Sequence, residues 1–210
     1  MQGNPAPRKG LSAEESRALT RKVLSFAKAD NTRVNIDSGI HGFTRTAINR
    51  VTTAGVTEDV NIRITSVFGK RIASIDTNRL DDASLERAVR ECETLAKISP
   101  ENPEYMPELG EQKFGEVNGY YTSTGDVTTE SRARAASFAV KAADAAKLVA
   151  SGFIDVNAGS SAIATSNGLF GYAAGTGVSS TLTIRTPDGA SSGWAGDEGD
   201  GGNGGFGKFF

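Results

Sequence analysis

The 210-residue sequence has one cysteine, one histidine and one tryptophan, and it carries no excess of either charge. Each shortage removes a class of chemistry. Cys92 has no partner for an intrachain disulfide, so the fold must be held by a core, and a reducing compartment fits best. His41 alone cannot supply the two histidines, one helical turn apart, of the common zinc motifs. It stands beside Gly42 in a segment that reads as a turn, and no serine lies in a G-x-S-x-G elbow, so a nucleophilic triad has no local signature. Lys and Arg number 23 against 25 Asp and Glu, a net charge of −2, which argues against a phosphate-binding surface and against nucleic acid as a partner. No apolar run approaches the roughly 20 residues that span a bilayer. The opening MQGNPAPRKG also lacks the hydrophobic stretch of a secretory signal. The expectation is a cytoplasmic chain with no membrane partner.

What is present is an ordinary globular mixture, 38% hydrophobic and 23% charged, so a buried core is expected. Ser12-Ala-Glu-Glu15 is a capping-box pattern, and Leu19, Val23, Phe26 and Ala27 follow at the spacing of one helical stripe. Residues 33–37 alternate as a strand, Ser38-Gly39 reads as a break, and Phe43 to Thr53 resumes as a second strand. Val60, Ile62, Ile64 and Val67, then Ile72, Ala73 and Ile75, predict a hairpin whose tip is Phe68-Gly-Lys-Arg71, with Asn61, Arg63 and Thr65 on the other face.

Asp81-Asp82 before Leu85, Ala88, Val89, Cys92, Leu95 and Ala96 predicts a second helix, ended by Pro100 and Pro103, with Cys92 a packed thiol on its apolar face. An alanine-rich helix is expected between Thr129 and Ser151, with Ala135, Ala139, Ala142, Ala146 and Val149 as its stripe and Gly152 as its stop. Strands are expected at 153–157, 161–166 and 179–185, with turns at Asn167-Gly168 and Pro187-Asp188-Gly189. The fold class is α+β, an antiparallel or mixed sheet packed by amphipathic helices. Residues 1–11 read as a flexible start, 12–98 as a first half, 99–128 as a linker, 129–195 as a helix with a second strand block, and 196–210 as a glycine-rich flexible tail.

Two further features are weighed and set aside. Gly202-Asn-Gly204-Gly-Phe-Gly207 matches the G-x-G-x-x-G dinucleotide fingerprint, but three residues remain after it and no helix can follow to receive a pyrophosphate. The carboxylates Asp37, Asp76, Asp126 and Asp155 are dispersed, and their spacing predicts no acid and base pair.

The ordered set of motifs resembles the TldD/PmbA family. Arg45-Thr-Ala47-Ile-Asn49-Arg-Val51-Thr52, the hairpin with its Gly-Lys tip, and Thr77-Asn78-Arg79-Leu80-Asp81 before a helix are similar to that family's N-terminal domain. Leu95-Ala96 with Pro100-Glu-Asn-Pro103, Ala164-Thr-Ser-Asn167-Gly168, Asp188-Gly189 and Ser192-Gly193-Trp194 extend the resemblance over residues 12 to 196. It implies a cytoplasmic metallopeptidase that acts on small unfolded peptides, working as a homo- or heterodimer with a related subunit. The implied zinc belongs to an H-E-x-x-x-H helix and a later cysteine in the family's C-terminal domain. No catalytic or metal residue transfers to this chain, so no cofactor is expected in it. The glycine-rich run from Gly199 departs from the family pattern, and the chain reads as a truncated or frame-disrupted product that ends before the metal motif.

Against that background Thr44, Arg45, Asn49 and Thr52 are candidates to line a groove for an extended peptide, since unpaired strand edges bind main chain without demanding a particular side chain. A solvated face of an ordinary sheet is the alternative. Two functions stay open: the peptide-guiding domain of a TldD/PmbA-type peptidase, or a non-catalytic module that binds a peptide or a subunit through a sheet edge.

Overall fold

The computed structural model describes residues 10–115 and 117–200. Its first helix, α1 (Ala13–Phe26), begins at the capping box: the Ser12 hydroxyl accepts the Glu15 N–H at 3.2 Å, and the Glu15 carboxylate accepts the Ser12 N–H at 2.9 Å. Strands β1 (Asn31–Ala47), β2 (Arg50–Phe68) and β3 (Arg71–Thr77) follow, then α2 (Asp82–Ile98), whose cap Asp81 accepts the Ser84 N–H at 2.9 Å. A single turn α3 (Thr122–Gly125) leads to α4 (Thr129–Ala145), and β4 (Val149–Thr165), β5 (Phe170–Arg185) and β6 (Ser192–Gly199) complete the described chain.

Among the described residues the strands form one six-stranded sheet in the order β3-β2-β1-β4-β5-β6, and every neighbouring pair is antiparallel. The α+β class is therefore as read. Its centre is the pairing of β1 with β4, from Arg33 opposite Thr165 to Thr46 opposite Gly152. The two halves separated in the sequence reading are thus one sheet, not two blocks.

Period two along the strands sorts the side chains. Even-numbered positions of β1 from Thr32 to Thr46 face the helices, and odd-numbered positions face the other way. Val34 and Ile36 of β1 with Ile62 and Ile64 of β2 meet Val23 of α1 and Leu85, Val89 and Cys92 of α2, all buried. Removing each such aliphatic side chain from water is worth about 1.5–3 kcal/mol. The Cys92 thiol donates to the Ile64 and Ala73 carbonyl oxygens, each at 3.3 Å, and burial pushes its pKa up, as befits a packed thiol. A second, smaller core lies beneath α4, where Ala135 and Ala136 pack on Ile154, Val156 and Val178. Small residues on α4 let the helix lie close to the sheet.

Several boundaries differ from the sequence reading. Ser38-Gly39 does not break β1, because both neighbouring strands pair with it through that point. The break comes later, at Ile48-Asn49, whose φ values of 49° and 56° make a two-residue turn between β1 and β2. Helix α4 stops at Ala145, where Lys147 turns left-handed (φ 55°), and Gly152 lies inside β4 instead of ending the helix. The strands expected at 153–157 and 161–166 are one strand, and 170–178 belongs to β5. Residues 196–199, read as tail, pair with β5 as part of β6. Leu11, read as part of a flexible start, is buried, and its N–H donates to Ser38 Oγ at 2.8 Å. The G-x-G-x-x-G match lies outside the described residues.

The 99–128 segment is a long connection, as expected, and it is docked. Glu108 meets Arg33 at 3.0 Å, the Leu109 carbonyl accepts from Thr165 Oγ1 at 3.1 Å, and the Gly119 carbonyl accepts the Thr176 N–H at 3.0 Å. It runs from the β2–β3 hairpin end past the free edge of β5.

Candidate functional site

The four residues proposed to line one groove do not share a face. Thr44 is fully buried on the helix-covered side, and Arg45, the next residue, is exposed on the opposite side, as period two requires. Asn49 is spent on its turn: its amide donates to Leu148 O at 2.8 Å and to Asp144 Oδ1 at 2.6 Å, and its Oδ1 accepts the Ala150 N–H. Thr52 sits at the irregularity between Arg45 and Thr46, donating to Arg45 O at 3.3 Å. Of the four, Arg45 stands on the open face of the sheet.

That open face carries a different constellation. Gly39 of β1 lies opposite Asp59 of β2 on one side and Gly159 of β4 on the other, and Gly159 lies opposite Gly175 of β5. Three glycines in one register line leave a trough that crosses the strands, with a volume of about 840 Å³. Val117 and Gly119 of the docked connection close it at the β5 end. At a strand spacing of about 4.8 Å, crossing four strands gives room for roughly four or five residues of extended chain.

One bank of the trough is Asp37, which accepts from Ser161 Oγ at 2.6 Å, beside Asn61. The other is His41, which pairs with Asp155 of β4 while Asp155 also accepts from Asn157 Nδ2 at 2.7 Å. His41 is therefore a mid-strand residue with a carboxylate partner, where the sequence suggested a solvated turn. Beyond it the rings of Phe43 and Phe153 stack at 6.1 Å, and His41 lies 5.8 Å from Phe43. Two arginines on this face are engaged with carboxylates, and Arg45 lies outside the trough lining. Arg33 binds Glu108, and Arg63 clamps Asp76 at 2.9 and 3.1 Å; that pairing raises the pKa of Arg63 and lowers that of Asp76, with Asn61 adding to the latter. Asp76 is thus a clamped carboxylate of β3 and stands apart from Asp155.

The helix-covered side holds a smaller recess of about 360 Å³ between α4 and β5–β6, lined by apolar groups such as Ala139, Ile154 and Leu182 with the half-exposed Phe138 at its mouth. On the same side Arg132 is 1% exposed; it donates to Gly55 O at 3.0 Å and to Thr129 Oγ1 at 3.1 Å, while its Nε has no partner. Burial lowers its pKa, opposed by Asp155.

Among the described residues no group of three or more His, Cys, Asp or Glu side chains is placed to hold a metal ion. His41 is already bonded to Asp155, and it is not gathered with Asp37 and Asp59 into a set that would hold zinc. No described helix is long and apolar enough to cross a membrane. Strand-interior glycines such as Gly39 and Gly159 were the signal available in the sequence for a close backbone approach. The His41 pair with Asp155 had none, because 114 residues separate the partners.

Comparison with known proteins agrees with this architecture. Residues 78–210 match the family described as the PmbA/TldA metallopeptidase central domain. No curated protein matches the sequence. TldE from Thermococcus kodakarensis is similar in structure, with a TM-score of 0.72 and 14% identity over 89% of this chain and 42% of its own. A protein from Thermotoga maritima described as a candidate modulator of DNA gyrase gives 0.68 and 15% identity over the same shares, 89% and 42%. One of the same description from Bacteroides thetaiotaomicron gives 0.63 and 14% identity over 87% and 43%. The chain therefore spans less than half the length of these structures, whose likeness concerns the fold. The resemblance read from the sequence named an N-terminal domain, whereas the matched description names the central one, and its first residue falls between β3 and α2 of a continuous sheet. With the family description matched across more than half its residues, this chain belongs to the PmbA/TldD metallopeptidase family.

Proposed function

We propose that this chain is the non-catalytic, peptide-guiding part of a TldD/PmbA-type zinc metallopeptidase, holding small unfolded peptides on its open sheet face for proteolysis elsewhere in the parent protein. The observation that carries the reading is the glycine-floored trough, which offers short polar side chains such as Asp37, Asn157 and Ser161 to an extended chain and no bulky group to select one. Zinc, a cytoplasmic location and a homo- or heterodimeric parent belong to the same proposal. The test is amide chemical-shift mapping of the 210-residue chain with an unstructured decapeptide. Shifts clustered on Asp37, His41, Asn157 and Gly175 are expected; their absence at saturating peptide overturns the reading.

A second reading is favoured by β6, which pairs with β5 alone among the described strands and is exposed along its whole length. An unpaired edge of that kind adds a strand from a peptide or a subunit. Shifts confined to 192–199 in the same experiment identify this non-catalytic edge-binding module instead.

A further inference from the structure

We infer that the trough selects cationic peptides, those bearing lysine or arginine, an inference that rests on the peptide-guiding reading and gives it a substrate class. Charge complementarity carries it. Asp37 and Asp59 line the trough, and among the described residues no lysine or arginine does. Asp37 and Asp59 have hydrogen bonds, from Ser161 and from the Val60 N–H, but neither forms an ion pair with a described Lys or Arg. The cation that Asp37 influences, Arg63, is held bidentately by Asp76. His41 is occupied by Asp155.

Geometry makes this charge usable. With glycine at 39, 159 and 175, a peptide backbone can lie on the sheet itself, which brings its side chains level with Asp37 on one bank and Asp59 at the β2 end. Val117 and Ala173 in the lining are exposed and give a lysine stem apolar contact while its ammonium stays in solvent. The stacked Phe43 and Phe153 beyond His41 add an apolar shelf for a side-chain stem.

Fluorescence anisotropy with three labelled decapeptides of matched length, Lys/Ser, Gly/Ser and Glu/Ser, tests it on the 210-residue chain. At low salt the Lys/Ser peptide should bind about tenfold more tightly than the Gly/Ser peptide, and the gap should shrink as salt rises. In the double variant Asp37→Asn, Asp59→Asn the gap should close while Gly/Ser binding stays unchanged, since amides keep the hydrogen bonds and shed the charge. Gly175→Leu, which has open space above it, fills the trough and should abolish binding of all three peptides. Equal binding of Lys/Ser and Gly/Ser by the unaltered chain, lost in Gly175→Leu, overturns the cationic preference and leaves the peptide reading standing. A preference that survives the double variant, or binding that survives Gly175→Leu, overturns the assignment to this trough. Failure of every peptide to bind a chain folded by circular dichroism overturns both.

Discussion

Gly39 of β1 and Gly159 of β4 face each other so closely that a Cβ on Gly159 would stand 2.5 Å from the Ser38 carbonyl oxygen, and one on Gly39 would stand 2.6 Å from that of Ala158. Backbone atoms on both sides of the sheet's central pairing cannot yield cheaply. Gly159→Ala is therefore expected to lower unfolding stability by about 1–3 kcal/mol, as overpacking does. Gly175→Ala is the contrast, because its added methyl meets nothing nearer than Gly119 O at 3.8 Å; it should stay within about 0.5 kcal/mol. Urea denaturation of both variants checks the pair, and equal losses would mean that close approach is not what the glycines provide.

Ile48 occupies the left-handed region at φ 49° with its side chain 61% exposed, so it bears the steric cost of that conformation with little burial in return. Ile48→Asn should raise stability by about 1 kcal/mol, since asparagine suits the first position of this turn. Thermal melting of the single variant decides it. A lower melting temperature would show that Ile48 is held by packing at the hairpin tip.

Arg132 is a buried cation without a carboxylate within ion-pair distance among the described residues. Replacing it with an apolar chain of similar length removes the desolvation cost as well as two hydrogen bonds, so Arg132→Met should leave stability within about 1 kcal/mol. Arg132→Ala opens a cavity over Gly42, against which the guanidinium now rests, and should lose about 2–4 kcal/mol. The ordering of the two midpoints in guanidinium chloride is the readout.

Asp81 caps α2 through the Ser84 N–H, and that hydrogen bond holds its pKa below the ordinary carboxylate value. A folded pKa below the unfolded one means stability that is present above the unfolded value and is lost as pH falls through the folded one. Asp81→Ala should be less stable than the unaltered chain near neutral pH, with the difference narrowing as the pH drops below about 4. Paired denaturation curves across that range check the sign; a difference independent of pH would put the loss in helix propensity.

Local features of this protein were legible in the sequence. Ser12 with Glu15, Asp81, the Gly69 tip and Asn167-Gly168 each act on residues within four positions, and each is found where its chemistry predicts. Errors arose where a local signal was overridden. Ser38-Gly39 reads as punctuation, yet strands on both sides hold β1 straight through it; Gly152 reads as a helix stop, yet β5 pairs with it. The groove candidates are divided for a simpler reason, since Thr44 and Arg45 are adjacent on a strand and point to opposite faces.

By itself the sequence determined the three long helices, the period-two strands and the family, because caps, stripes and ordered motifs act over short separations. Tertiary structure alone decided that β1 lies beside β4. That pairing aligned Gly39 with Gly159, joined His41 to Asp155 and put Asp37 and Asp59 around one trough. No local pattern specifies which distant strand will be the neighbour, and register across a sheet is settled only when both faces of both strands find their burial together.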